Sequence, residues 1–339
     1  MDSVTQIALG SAVGMAVMGR HTPLWKSALV GALCGTLPDL DVVIDYGDPI
    51  SDVTYHRGFS HAFFYLTLVA PLLAWLAARV LDRPRRYRRW LFAVWLALVT
   101  HPLLDAFTVY GTQLWRPFSD YPVGLGSIFI IDPLYTLPLL LGIVITLKRH
   151  SLVWNSVGLA LSSGYLAWSF AAQLHVQSVV DESLRDQGWI VEQRLVTPTA
   201  FNTLLWRVLV ITPDEYLEGF YALADRGRPV EFRAYPRGMD LYERLEDDWG
   251  VARMAWFTKG YFKMQQRDRE ILITDLRMGQ EPYYTFNFVV AEKGPEGVEP
   301  VPYRQEWGRP PVRAGLQWIG RRLQGEPSEP PWIQTGSEP

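Results

Sequence analysis

Residues 63–105 read FFYLTLVAPLLAWLAARVLDRPRRYRRWLFAVWLALVTHPLLD, and the fold class of half the chain follows from them. Two apolar runs, 62–78 and 90–100, flank the basic stretch RPRRYRR at 83–89. A helix that crosses a bilayer needs about 20 apolar residues, or about 17 when its ends snorkel. The run 62–78 meets that length alone. The run 90–100 meets it only by continuing toward residue 110, which draws His101 and Asp105 into or beside the membrane. A basic stretch squeezed between two such runs is a topology determinant facing anionic lipid, and no nucleic-acid partner is expected from it.

Outward from this pair, similar runs occupy 3–19, 27–38, 133–147 and 151–180. The run 27–38 reaches spanning length only through Leu40, Val42, Val43 and Ile44, which brings Asp39 and Asp41 along. Composition marks the limit of this region. Residues 1–180 hold ten Asp, no Glu and twelve Lys plus Arg, whereas 181–339 hold twenty-five acids and twenty bases. Soluble surface helices normally use Glu, so the first part has little ordinary solvated surface. The expectation is an α-helical polytopic membrane domain of about six transmembrane helices over 1–180. Met1–Asp2 offers no basic segment before the first run, which argues against a cleaved signal peptide. Ten of the twelve bases lie in odd-numbered connections, which places those on the cytoplasmic side and the 181–339 region outside.

Ionisable groups beside lipid are tolerated mainly where they pair, bind an ion or line a wet cavity. Here they fall into three short patterns. GTLPDLDVV sets Asp39 and Asp41 two residues apart after Pro38; YHRGFSHAFF sets His56 and His61 before the third run, with Gly58 as a bend and Ser60 as a cap; and His101 with Asp105 stand at i and i+4, one above the other on a helix face. By the proposed topology all three lie toward one face, so a shared metal centre is expected from Asp39, Asp41, His56, His61, His101 and Asp105. Imidazole with carboxylate suits Zn, Mn or Fe better than the all-oxygen shells of Mg or Ca. Six groups exceed the four that one zinc takes, so one or two ions are open. Asp132 is a further acid that offers itself as a ligand, as a partner orienting a histidine, or as a helix N-cap. Arg57 and Arg116 are the bases expected on the outer side, and Arg57, between the two histidines, is placed to hold a substrate phosphate. Cys34 is the single cysteine, so no intrachain disulfide forms.

MDSVTQIALGSAVG at the start, PDLD at 38–41, HRGFSH at 56–61, HPLLDAFTVYGTQL at 101–114 and FIIDPLYTLPLL at 129–140 together resemble the YdjM-like family of inner-membrane, metal-dependent hydrolases, also labelled LexA-binding. The resemblance covers about the first 150 residues. It implies a membrane-bound hydrolase with ligands at Asp39, Asp41, His56, His61, His101 and Asp105. Where many relatives carry Thr-His near the start, this chain has Thr5–Gln6, so Gln6 stands at the place of a family histidine. The histidine and HxxxD arrangement is also similar, more remotely, to the helical zinc-dependent phospholipase C group, which implies a phosphoester substrate.

Beyond 180 the pattern becomes short alternating runs rich in Val, Ile, Tyr, Phe and Trp: 204–212, 219–225, 231–236, 252–266, 270–279 and 283–292. These predict a mostly antiparallel β (α+β) extramembrane domain over 181–339, with a C-terminal tail, rich in Pro, Gly and Glu, that is partly disordered. The leading expectation is a metal-dependent hydrolase acting on a lipid-linked or amphiphilic phosphoester, with Asp39, His101, Asp105 and Arg57 carrying the chemistry. The alternative is a membrane transporter or sensor that binds metal without catalysis. Clustered ligands favour the first, and ligands spread across the membrane depth favour the second.

Overall fold

The computed structural model describes residues 1–81, 86–295, 297–308 and 310–333. Of the basic stretch 83–89, Arg83 and Arg85 lie outside the described residues, as do 334–339 at the end of the expected disordered tail. The chain divides into two compact units: Met1–Asp45 with Tyr55–Phe170 and Ala200–Asn202, and Tyr46–Thr54 with Ala171–Thr199 and Thr203–Pro339.

The first unit is helical. It contains α1 (Ser3–Met18), α2 (Leu24–Thr36) and a 3-10 turn over Leu37–Val43. The chain then forms α3 (Pro49–Tyr55), a 3-10 turn over Phe59–His61, α4 (Phe63–Leu81), α5 (Tyr87–Asp105), α6 (Pro133–Arg149) and α7 (Leu152–Asp186). The division between the units falls inside α7, and α3 lies mostly in the second unit. Asp2 caps α1 by accepting from the amides of Val4 and Thr5, which satisfies two of the helix's free N–H groups. Pro38 ends α2 and sends the chain into the 3-10 turn that carries Asp39 and Asp41.

α1 and α2 touch through their backbones. A methyl group on Gly10 would lie 2.2 Å from the carbonyl oxygen of Gly31, and one on Gly31 would lie 2.0 Å from that of Gly10. Gly14 against Ser27 and Gly35 against Gln6 extend the same contact, so the GxxxG spacings 10–14 and 31–35 form one groove-to-groove crossing. Toward the C-terminal end of α4 and the N-terminal end of α5, Met18, Ala77, Ala78 and Trp90 share one buried cluster.

The six apolar runs do become helices. Among the described helices, however, only α4 is both long and apolar enough to cross a membrane by itself, which corrects the expectation of about six such spans. The reason is length and polarity. α1 has 16 residues and α2 has 13, about 24 and 20 Å at 1.5 Å per residue, against a hydrocarbon core of about 30 Å. α5 is 19 residues long but includes Arg88, Arg89, His101 and Asp105.

The second unit is built on antiparallel sheets. β1 (Gln193–Pro198), β2 (Leu205–Ile211), β3 (Glu215–Ala222) and β4 (Phe232–Pro236) form one sheet in chain order. After α8 (Met239–Leu245) and α9 (Trp249–Phe257) come β5 (Phe262–Arg267), β6 (Glu270–Asp275), β7 (Gly279–Gln280), β8 (Tyr283–Tyr284), β9 (Asn287–Gly294) and β10 (Gly297–Glu306). The second four-stranded sheet runs β10-β9-β6-β5, β7 pairs with β8, and α10 (Val312–Leu323) follows. The run 252–266, expected to be a strand throughout, is helix in its first half. Asp248 caps α9 through the amide of Val251, and Val251, Met254 and Phe257 recur at helical spacing on its buried face.

Candidate metal centre

Four of the predicted ligands meet inside the first unit. Asp39 comes from the turn after α2, His61 from the turn before α4, and His101 and Asp105 from the last turn of α5. His61 Nε2 and His101 Nε2 are 3.1 Å apart. Each of these nitrogens lies 3.3 Å from Asp39 Oδ1 and 3.3 Å from Asp105 Oδ2. A tetrahedral ion with bonds of about 2.0–2.1 Å sets its ligand atoms about 3.3–3.4 Å apart, so four of the six edges have metal-site length and a fifth, between the two imidazoles at 3.1 Å, is slightly shorter.

Proton positions lead to the same point. His101 Nδ1 is 2.6 Å from the carbonyl oxygen of Gly35, which only accepts, so Nδ1 carries the hydrogen. Ser60 Oγ donates to Asp41 Oδ2 at 2.6 Å, and therefore accepts from His61 Nδ1 at 2.9 Å. In neutral form both histidines then present bare Nε2 lone pairs to each other and to two carboxylate oxygens. Four lone pairs facing one point at this spacing repel, and a cation at that point removes the conflict. Asp105 Oδ2 is buried with no hydrogen-bond partner among the described residues, as a ligand oxygen would be. The residues thus fit a divalent ion, and the cluster of Asp39, His61, His101 and Asp105 could hold one.

Asp41 and His56 stand beside this cluster. Asp41 Oδ1 meets His56 Nδ1 at 2.9 Å, while its Oδ2 accepts from Ser60 and from the backbone amide of Arg57 at 3.1 Å. Asp41 thereby orients His61 through Ser60, so that Ser60, expected as a cap, serves the histidine instead. Gln6 donates to Asp105 Oδ1 at 3.1 Å and to the His101 carbonyl at 3.2 Å, so it braces a ligand carboxylate. Asp105 Oδ1 also accepts from the Met1 amino group. Asp132 is the N-cap of α6, accepting from the amides of Leu134 and Tyr135 and from Tyr165 Oη, and belongs to a separate hydrogen-bond group.

Arg57 is buried next to the ligands. Its Nη2 lies 3.5 Å from Asp105 Oδ1, its Nη1 donates to Thr108 Oγ1 at 3.1 Å, and its guanidinium stacks 4.9 Å from the Tyr110 ring. Its backbone has φ 59°, a left-handed conformation that a non-glycine residue adopts at a cost. The Gly35 carbonyl and the glycine crossing that delivers it were not singled out in the sequence. The two GxxxG spacings were their available signal.

A family model described as YdjM inner membrane protein matches residues 1–176, the stretch that contains every group in this centre. The chain belongs to the YdjM inner membrane protein family. Membership supports an inner-membrane location. Among similar proteins, the chain is 32% identical over 121 residues to the inner membrane protein YbcI of Escherichia coli, covering 34% of this chain and 68% of YbcI. It is 26% identical over 312 residues to the uncharacterized protein YfhP of Bacillus subtilis, covering 86% of this chain and 90% of YfhP, so that likeness extends through both units. No solved structure matches the chain with significance.

Proposed function

We propose that this YdjM-family protein is a membrane-bound metal-dependent hydrolase acting on a lipid-linked or amphiphilic phosphoester. The observation that carries the reading is the convergence of His61, His101, Asp39 and Asp105 at 3.1–3.3 Å around one point. Zinc is the first choice for two imidazoles and two carboxylates, with Mn or Fe next. When bound, such an ion acidifies a water and polarises a phosphoryl oxygen. Asp39 is the least buried of the four ligands, its side chain 18% exposed, and so marks the side open to water and substrate. Arg57 supplies fixed positive charge next to Asp105, where it offsets negative charge that grows during phosphoester cleavage. Ligands gathered at one level, rather than spread along the helices, favour this reading over transport.

Several helices share the depth of α4, which supports a multi-pass bundle despite their short apolar runs. α5 starts at Tyr87, within the basic stretch of the sequence, and ends at Asp105, 3.3 Å from His61 just before the start of α4, so it returns along α4. α1 runs from Gln6 at the ligand end to Met18 at the basic end, and α2 runs back to Gly35. α7 passes from Leu152, near Gly19, to Ser169, whose hydroxyl meets Ser127 at 3.3 Å. Outward apolar side chains such as Leu29, Leu33, Leu137, Leu141 and Leu161 suit lipid contact. With the basic end cytoplasmic, the ligand end and the 181–339 region face outward.

Metal analysis of the detergent-purified protein, followed by a hydrolysis screen over phospholipids and phosphoesters, tests the proposal. Stoichiometric metal with turnover supports it. Metal without turnover on any ester would leave a binding protein, a transporter or sensor, as the function.

A further inference from the structure

The 3-10 turn that carries Asp39 and Asp41 turns these two acids inward and leaves Leu40, Val42 and Val43 exposed, Val43 by 80%. It packs against the turn that carries His61, where Phe59 is also exposed. From Phe59 an aromatic chain continues along the same rim. The Phe59 ring meets Tyr65 at 6.5 Å, Tyr65 meets Phe64 at 5.4 Å, and Phe64 meets Phe118, itself 80% exposed, at 5.5 Å. Isolated apolar side chains on a surface need no account, but a contiguous rim of this kind does.

Its depth is set by the chain itself. α4, the helix long and apolar enough to span, begins at Phe63, two residues after the ligand His61. The candidate metal centre therefore lies at the end of the one described helix able to span; where α4 crosses the bilayer, this end and its rim stand at headgroup level. Aromatic rings gather at this boundary, where an apolar body and a wet edge are both accommodated.

The geometry points to a bilayer-docking rim, formed by Leu40, Val42, Val43, Phe59, Phe64 and Phe118, that seats the metal centre in the lipid interface so that a membrane phospholipid enters it sideways from the leaflet. The substrate part of this inference rests on the hydrolase reading above; the docking part rests on α4 crossing the membrane and not on hydrolysis. A lipid whose phosphate lies at headgroup level need not leave the bilayer to reach Arg57 and the open side at Asp39. The apolar rim replaces the water that would otherwise separate them.

The test uses the full chain in phosphatidylglycerol–phosphatidylcholine nanodiscs, with spin labels on single cysteines at Val43, Phe118 and, as a mid-span reference, Leu72, in a Cys34→Ala background. Labels at Val43 and Phe118 are expected to collide more with oxygen than with a water-soluble nickel chelate, at a shallower depth than Leu72. Preferential collision with the chelate at both positions would overturn docking, whether water or a protein partner covers the rim. In the second arm, Val42→Ser/Val43→Ser is expected to slow hydrolysis of vesicle phosphatidylglycerol about tenfold, while metal content and turnover of a short-chain soluble phosphoester stay unchanged. An equal loss on both substrates would overturn sideways entry. If neither substrate is hydrolysed by the unmodified protein, the hydrolase reading fails, and the depth measurement alone decides the docking rim.

Discussion

The ligand role proposed for His61 and His101 depends on hydrogen bonds on the far side of each ring. Gly35 O and Ser60 Oγ take up the Nδ1 hydrogens, leaving both Nε2 atoms free to bind. Replacing His61 or His101 by Ala should therefore strip the metal from folded protein, whereas His150→Ala and His175→Ala should not; metal content of the purified variants checks this. Ser60→Ala keeps every ligand but releases the His61 tautomer. Losses of such supporting contacts commonly weaken metal affinity by about 10–100-fold, and Ser60→Thr should restore most of it in a competitive chelator titration. Arg57 offers a separate test, because it touches Asp105 without being placed as a ligand. Arg57→Ala should retain metal yet lose about a hundredfold in rate, and Arg57→Lys should recover only part, since a point charge cannot reproduce the guanidinium fork. Metal stoichiometry and initial rate from one sample distinguish this from a folding defect, which would lower both together.

At the scale of elements, the α1–α2 crossing places Gly35, and through it His101. A methyl group on Gly31 would lie 2.0 Å from the Gly10 carbonyl, and backbone cannot move aside as a side chain can. Gly31→Ala should separate the helices, lower the unfolding temperature and weaken metal binding, although residue 31 touches no ligand. Retention of both properties would show that the crossing tolerates widening. In the second unit, Lys259 follows α9 and its ammonium is pushed down to about 8, first by burial and then by Arg277 nearby. Its unfolded-state value is 10.5, so the folded form resists the proton. Below pH 8 both states are charged and the full penalty stands; between about 8 and 10.5 the folded form sheds its proton first and stability rises with pH. Lys259→Gln should remove that rise and stabilise the unit near pH 7, read by thermal unfolding across this range.

For the molecule as a whole, the proposed sidedness rests on the basic residues at one end of α4 and α5. Cys34 is buried, so single added cysteines report cleanly. A cysteine at Ser119 should react with a membrane-impermeant maleimide from outside intact cells, and one at Arg88 only after permeabilisation. In the proposed topology α7 runs back to the level of Ser127 by Ser169, so a reporter fused after residue 300 should be external. A cytoplasmic reporter there, with Ser119 outside, would show that α7 does not complete the crossing.

Sequence by itself determined the helical first part, the antiparallel second part and the short segments that supply the candidate metal cluster. Those features are local: apolar runs and strand alternation are read along the chain, and costly ionisable groups stand out against apolar surroundings. It also singled out Arg57 as a lone base between two histidines, while its burial beside Asp105 appeared only in the fold. Tertiary structure decided what depends on distance. Of six acids and histidines in three segments, it brought Asp39, His61, His101 and Asp105 to one point and turned Asp41 and His56 toward each other. It made Asp132 a cap, converted 249–257 to a helix, and left α4 as the one described helix able to span by its own length and apolarity. Spacing in sequence fixes which residues can share a helix face; which faces meet depends on how closely backbones approach. Here that approach is set by glycines 10, 14, 31 and 35, whose lack of a side chain carries no chemical signal of the site they assemble.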